Sequence, residues 1–211
     1  MYVLIIGATG GIGQKTLIRA LSDGHTVRAF SRTSELLQRS NPKLEKYCGN
    51  ALNSEDIEKS LDGIEAVIQV LGVKASELFG PINLFSDSTR ILIPAMERIG
   101  VKRLITVTGF GSGSSRKAIN CLQRPPFKFF LGRAYADKDI QERLIIESQL
   151  DWTIVRPGVL TNGKFSGRYK VLSEPSEWRN GTISRADVAD FIVRQLTERE
   201  YVRLAPVLVN R

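Results

Sequence analysis

Cysteine and histidine are nearly missing from this chain. It holds two cysteines, Cys48 and Cys121, and one histidine, His25, in 211 residues. The cysteines lie far apart, with no CxxC spacing and no histidine beside them. Neither a disulfide framework nor a zinc site is expected, no metal is assigned, and both thiols are expected to be buried and reduced. A Ser-His-Asp triad would have to use His25, which sits in the turn-like sequence Asp-Gly-His-Thr-Val without an orienting partner in reach. That chemistry is disfavoured. Also missing is any run of about 18 to 20 apolar residues. The first residues enter an apolar strand with no basic lead, so a soluble, cytoplasmic protein with no membrane partner is expected.

Acidic residues are outnumbered: 22 Asp and Glu against 30 Lys and Arg give a formal charge of +8. Such an excess favours anionic partners. No aromatic-rich basic strand pair or recognition helix accompanies it, so nucleic acid is not an expected partner. A polyanionic small molecule suits the charge, as does a merely solvated basic surface.

What the chain does have is regular alternation. Strands are expected at 2–6, 26–30, 44–48, 66–71, 103–108 and 152–156. Helices are expected at 12–22, 34–39, from the Asn53 cap onward, 85–99, 137–148 and 185–196, with a last extended run at 202–209. Near-continuous apolar strands such as YVLII imply that both sheet faces are covered. Repeated strand–helix–strand units imply an α/β fold with a doubly wound parallel sheet, a Rossmann fold, in a single domain over 1–211. The alternation pauses at about 109–133 and 158–182, both after strand ends where ligands bind in such sheets.

The stretch GIGQKT nearly spells a triphosphatase loop. That loop needs lysine directly after its last glycine, and Gln14 occupies the place. One residue of shift turns Lys15 by about 100° around the helix, so that reading fails. Gly7, Gly10 and Gly13 instead follow strand one as G-x-x-G-x-x-G, with Thr9, Gly11 and Ile12 completing the loop. They point to a dinucleotide whose pyrophosphate sits at a helix N-terminus. Past strand two, where an acid would bind the NAD ribose, the chain has Ser31, Arg32 and Thr33. These donors suit a 2′-phosphate, so NADP(H) is the expected cofactor; a surface arginine at a helix start is the plainer description.

The motifs GATGGIG at 7–13, GNALN at 49–53, DWTIVRPG at 151–158 and ISRADVA at 183–189 occur in this order. They resemble the atypical short-chain dehydrogenase/reductases, and within them the NmrA-like and B-type biliverdin/flavin reductase group, over nearly the whole chain. The resemblance implies that Asn50 and Ala51 contact adenine, where family members commonly carry aspartate in place of Asn50. It places Leu71 and Gly72 under the nicotinamide-side ribose, Thr108 and Gly109 at the serine-containing end of strand five, and Pro157 and Gly158 along the nicotinamide pocket. Arg185 and Asp187 are expected to tie the last helix to the sheet. The family dyad is Tyr-x-x-x-Lys, in which tyrosine donates a proton and lysine holds ribose hydroxyls. Here Tyr135 precedes Lys138 by three residues, at what is expected to be a helix start. Lys138, Tyr135 and Thr108 are the catalytic candidates, with Lys138 also a ribose contact.

The expected function is an NADPH-dependent reductase passing hydride to a planar flavin, quinone or tetrapyrrole acceptor. The stretch 121–133 reads either as a cationic, apolar rim for it or as a helix packed on the sheet. The displaced dyad also suits a non-catalytic NADP(H) sensor that reports to a protein partner, and a sugar-nucleotide epimerase or dehydratase is a weaker alternative. A monomer or a dimer is expected.

Overall fold

The computed structural model describes residues 1–33, 40–73, 80–118 and 124–210, and of 124–131 the backbone only. The expected helix at 34–39 and Cys121 fall outside the described residues. Eight strands form one sheet in the order β3-β2-β1-β4-β5-β6-β10-β8. They are β1 (Tyr2–Ile6), β2 (Thr26–Ser31), β3 (Leu44–Cys48), β4 (Ala66–Gln69), β5 (Arg103–Val107), β6 (Asp151–Pro157), β8 (Tyr169–Leu172) and β10 (Val207–Asn210). All pairings are parallel except that of β8 with β10, so the sheet is mixed rather than wholly parallel. Two short strands, β7 (Val159–Thr161) and β9 (Thr182–Ser184), pair beside it.

Strand periodicity explains the layers. Val3 and Ile5 of β1 face α1 (Gly11–Ser22) and α5 (Arg185–Arg194), where Leu17, Ala20, Val188 and Ile192 are buried. Leu4 and Ile6 face the other way, toward α2 (Ser54–Ser60), α3 (Leu84–Ile99) and α4 (Arg124–Glu147), against Ile57, Leu92, Met96 and Ile145. The chain leaves β1 outward through β2 and β3, then returns to pair β4 on the other side. The ends of β1 and β4 therefore form the switch point where a crevice opens.

Several expectations are corrected. Helix α4 starts at Arg124, not near 137, because Pro125 and Pro126 fall in its first turn, where their missing N–H groups are not needed. Residues 124–133 of the expected 109–133 pause are therefore helical, and Tyr135 lies in the middle of a helix. The 158–182 pause contains β7 and β8, and the final run narrows to β10 after a turn with Arg203 at φ 59°. Cys48 is exposed, its Sγ 3.5 Å from the Arg32 carbonyl. Among the described residues no helix is long and apolar enough to cross a membrane.

Helix α4 is fastened by charge. Glu142 and Arg156 are both buried, with Arg156 Nη2 2.6 Å from Glu142 Oε2 and Nε 3.1 Å from Oε1. The Thr108 and Ser112 hydroxyls each lie 2.7 Å from Glu142 Oε1, and the Arg156 guanidinium rests 5.1 Å from the Trp178 ring. Removing one partner strands the other charge in the interior. Glu142→Ala is expected to cost about 3–5 kcal/mol, read as a lowered urea midpoint. Glu142→Leu combined with Arg156→Met should recover most of that loss.

Candidate functional site

The crevice is a cleft of about 640 Å³ running across the ends of β2, β1, β4, β5 and β6. Its walls divide into three parts. At the β2 end, Phe30, Ser31 and Arg32 stand beside Asn50, Ala51 and Leu52. In the middle, Gly7 and Thr9–Ile12 meet Arg185. At the β5 end, Leu71–Val73 and Leu84 approach Thr108, Lys138, Pro157 and Leu160.

Glycine shapes the middle part for two different reasons. Gly7 takes φ +92°, and a Cβ there would come within 2.7 Å of the Val70 carbonyl oxygen. A Cβ on Gly13 would lie 2.1 Å from the Gly7 carbonyl oxygen, so α1 can approach β1 only with glycine at that place. Gly10 is different. A Cβ there meets nothing nearer than the Gly7 oxygen at 3.4 Å, and one on Gly72 meets nothing within 4 Å. Their bareness serves the space in the cleft, not the protein's own packing. The N-terminus of α1 has no side-chain cap and no acid in its first turn, so its N–H groups and dipole face the cleft uncompensated.

The β2 end carries an orphaned polar atom. Ser31 lines the cleft, and its Oγ is buried and finds no hydrogen-bond partner among the described residues. Arg32 stands exposed beside it, and Thr33 is exposed outside the lining. The Asn50 side-chain oxygen already accepts from Leu52 N at 3.1 Å, closing an Asx turn, so one lone pair remains for a ligand.

At the β5 end Lys138 and Tyr135 are neighbours, Nζ lying 5.9 Å from the phenol ring centroid, but their polar atoms meet different surroundings. Lys138 donates from Nζ to the Thr108 carbonyl oxygen and lies 4.8 Å from the Phe85 ring centroid. Burial pushes its ammonium down to about 8, against the pull of Glu142 and Asp137. The Thr108 hydroxyl is turned to Glu142, so the group that meets Lys138 is its carbonyl. Tyr135 does not line the cleft. Its hydroxyl sits 2.6 Å from where a Gly109 Cβ would be, and burial, reinforced by Glu142, pushes the phenol up to about 12. Asp137, between the two, turns to α3 and accepts from Phe85 N at 2.8 Å, capping that helix.

The structure thus gathers Gly7, Thr9, Gly10, Gly11, Ile12, Ser31, Arg32, Asn50, Ala51, Leu71, Gly72, Thr108, Lys138 and Pro157 on one cleft. It leaves Gly13, Thr33, Gly109, Gly158 and Tyr135 outside the lining. Gly158 is needed for packing, since a Cβ there would lie 2.2 Å from the Gly181 oxygen. Sequence reasoning missed Arg185, which faces the cleft instead of the sheet. Asp187 does act as a tie, but to a loop: it accepts from Ser166 N at 2.8 Å and Gly167 N at 3.0 Å. Among the described residues no cluster of His, Cys, Asp and Glu could hold a metal ion.

A family model described as NAD(P)H-binding matches residues 7–199. A Bacillus subtilis (strain 168) protein named "Uncharacterized sugar epimerase YhfK" is 31% identical over 208 residues, covering 94% of this chain and 89% of that one. The structure of ChuY, named an anaerobillin reductase, from Escherichia coli O157:H7 superposes with TM-score 0.84 at 23% identity, covering 100% of this chain and 97% of the other. A short-chain dehydrogenase/reductase from Veillonella parvula DSM 2008, solved in complex with NADP, gives TM-score 0.81 at 18% identity over 99% and 94%.

The two kinds of glycine predict two kinds of damage. Gly10→Val is expected to leave thermal unfolding nearly unchanged and to abolish dinucleotide binding in a calorimetric titration. Gly13→Ala should instead cost about 1–3 kcal/mol of stability through overpacking against Gly7. A Gly10→Val protein that still binds would show that the pyrophosphate lies elsewhere.

Proposed function

The chain belongs to the NAD(P)H-binding family, and we propose that it is an NADPH-dependent reductase of the atypical short-chain dehydrogenase/reductase type whose acceptor is a planar small molecule of flavin, quinone or tetrapyrrole type. The observation that carries this reading is the different placing of two neighbours, Lys138 and Tyr135, whose Nζ and ring centroid lie 5.9 Å apart. The lysine lines the cleft, while the phenol is packed behind it on Gly109 with its pKa raised to about 12. A phenol made a weaker acid and turned onto Gly109, outside the cleft lining, is poorly suited to protonate a carbonyl or alkoxide. An acceptor with a conjugated ring system takes its proton from water and needs no such group.

When bound, NADPH supplies the hydride. The chain's own groups bind and orient. The bare loop and α1 N-terminus receive the pyrophosphate, and Ser31 Oγ with Arg32 receives the 2′-phosphate. The Arg32 cation beside the orphaned Ser31 hydroxyl supports NADPH over NADH, since only the 2′-phosphate brings a charge for the guanidinium to meet. Lys138 takes ribose hydroxyls, its Nζ placed by the Thr108 carbonyl. Leu71, Val73, Leu84, Pro157 and Leu160 form an apolar wall that excludes water from the hydride path.

The name of the ChuY neighbour points the same way. That of the Bacillus relative favours a second reading, a sugar epimerase. Such chemistry calls for a proton-transferring tyrosine within reach of substrate, and the position of Tyr135 opposes it.

Titrating NADPH and NADH separates the cofactor claim from the acceptor claim. NADPH is expected to bind roughly ten- to a hundredfold more tightly, and Arg32→Ala to erase most of that difference. Equal wild-type affinities would remove the 2′-phosphate assignment. NADPH oxidation should then be followed with flavin mononucleotide, a quinone and a tetrapyrrole. Tyr135→Phe is expected to keep turnover within about tenfold of wild type, whereas a working general acid is worth about 10²- to 10⁴-fold. Tight binding without turnover of any acceptor would favour a sensor. A hundredfold loss in Tyr135→Phe would favour dyad chemistry.

A further inference from the structure

Arg185 is a cation of the cleft that neither the glycine loop nor the 2′-phosphate end accounts for. It opens α5, and its Nε and Cδ lie 2.9 and 3.0 Å from the point a Cβ on Gly11 would occupy. The stem of the guanidinium therefore rests on the first turn of α1, within the same cleft. Nη1 donates to Asn162 Oδ1 at 2.8 Å, which holds the planar group in one orientation. Among the described residues its other donors have no partner, and it makes no ion pair. Arg19, Arg116 and Arg156 rest on carboxylates, whereas Arg185, like Arg32, lines the cleft without one among the described residues.

Its position is also fixed from behind. Ser184 Oγ accepts from Asp187 N at 2.9 Å, capping α5, and the Asp187 carboxylate anchors Ser166 and Gly167. The first residue of α5 is thus held between two anchored neighbours, with its side chain directed over α1.

We propose that Arg185 is a second hold on the dinucleotide pyrophosphate, acting across the cleft from the N-terminus of α1. This rests on the dinucleotide reading of the site. A helix N-terminus offers only about half an elementary charge, spread over its free N–H groups. A pyrophosphate carries two negative charges, and a guanidinium adds a full positive charge with donors matched to paired phosphate oxygens. Held between α1 and α5, the anion is gripped by two helices that already pack on each other. The role differs from that of Arg32. Both NADH and NADPH carry a pyrophosphate, so Arg185 strengthens either cofactor without choosing between them.

The test titrates NADPH and NADH into wild type, Arg185→Ala, Arg185→Lys and Arg32→Ala, following nicotinamide fluorescence, with thermal unfolding of each variant alongside. Arg185→Ala is expected to weaken both cofactors by one common factor, roughly ten- to a hundredfold. Arg185→Lys should recover part of that, keeping the charge but not the fork. Arg32→Ala should weaken NADPH alone. Should the alanine variant lose stability, Arg185→Gln, which retains a donor for Asn162 and removes the charge, must show the same loss of binding. Unchanged affinities in a stable Arg185 variant overturn the proposal, and so does a loss confined to NADPH. If wild type binds neither dinucleotide, it is the dinucleotide reading itself that fails.

Discussion

Glu142 and Arg156 bury opposite charges between α4 and β6, and the floor of the cleft follows from how those charges are satisfied. A carboxylate in the interior must collect donors or lose its charge. Glu142 collects the guanidinium of Arg156 and lies within hydrogen-bond distance of the hydroxyls of Thr108 and Ser112. That requirement sets the rotation of α4 over the end of β5. With the Thr108 hydroxyl committed inward, its carbonyl is the acceptor presented to Lys138. A buried ion pair gains little net stability over apolar residues of the same size. What this one supplies is a set of directed contacts joining the helix that carries the lysine to β6 and to the end of β5.

A second constraint meets the first at the switch point. Gly7 and Gly13 let α1 close onto β1 with backbone against backbone, so the helix N-terminus arrives bare at the middle of the cleft. Asp187 anchors the opposite side. The cleft is thus framed by backbone approach on α1, buried charge under α4 and a carboxylate-tied loop at α5. None of these contacts involves the cofactor, so the described walls of the cleft are held by the protein's own groups.

How much of this could be read from the residues varies with the range of the interaction. The loop at Gly7 to Gly13 was legible because its requirements are local: a strand, bare backbone and a helix start follow one another in the chain. The strands of the inner sheet were legible because burial on both faces leaves unbroken apolar runs. The start of α4 was not, since Pro125-Pro126 reads as a break unless the helix is known to begin there. Nor was the part played by Glu142, which is joined to Arg156 only by folding. Arg185 was visible as a motif letter, but its direction depends on where α5 meets α1, a relation between elements far apart in sequence.

The three-residue spacing between Tyr135 and Lys138 finds its explanation in the same packing. Successive residues turn by about 100° on a helix, so a tyrosine four before the lysine shares its face, while one three before it is carried about 100° from that place. The residue four before Lys138 is Ala134, buried with Ile82 and Phe85. The Phe85 ring lies 4.8 Å from Lys138 Nζ. An apolar wall with a phenyl ring thus stands where the family motif would put a phenol. Asp137 strengthens the arrangement by capping α3 at Phe85 itself, which fixes the helix that carries that ring. The change of spacing therefore does more than misplace an acid. It sets an apolar surface beside a lysine whose charge burial has already disfavoured, and this is the arrangement on which the proposal of a flat, unsaturated acceptor rests.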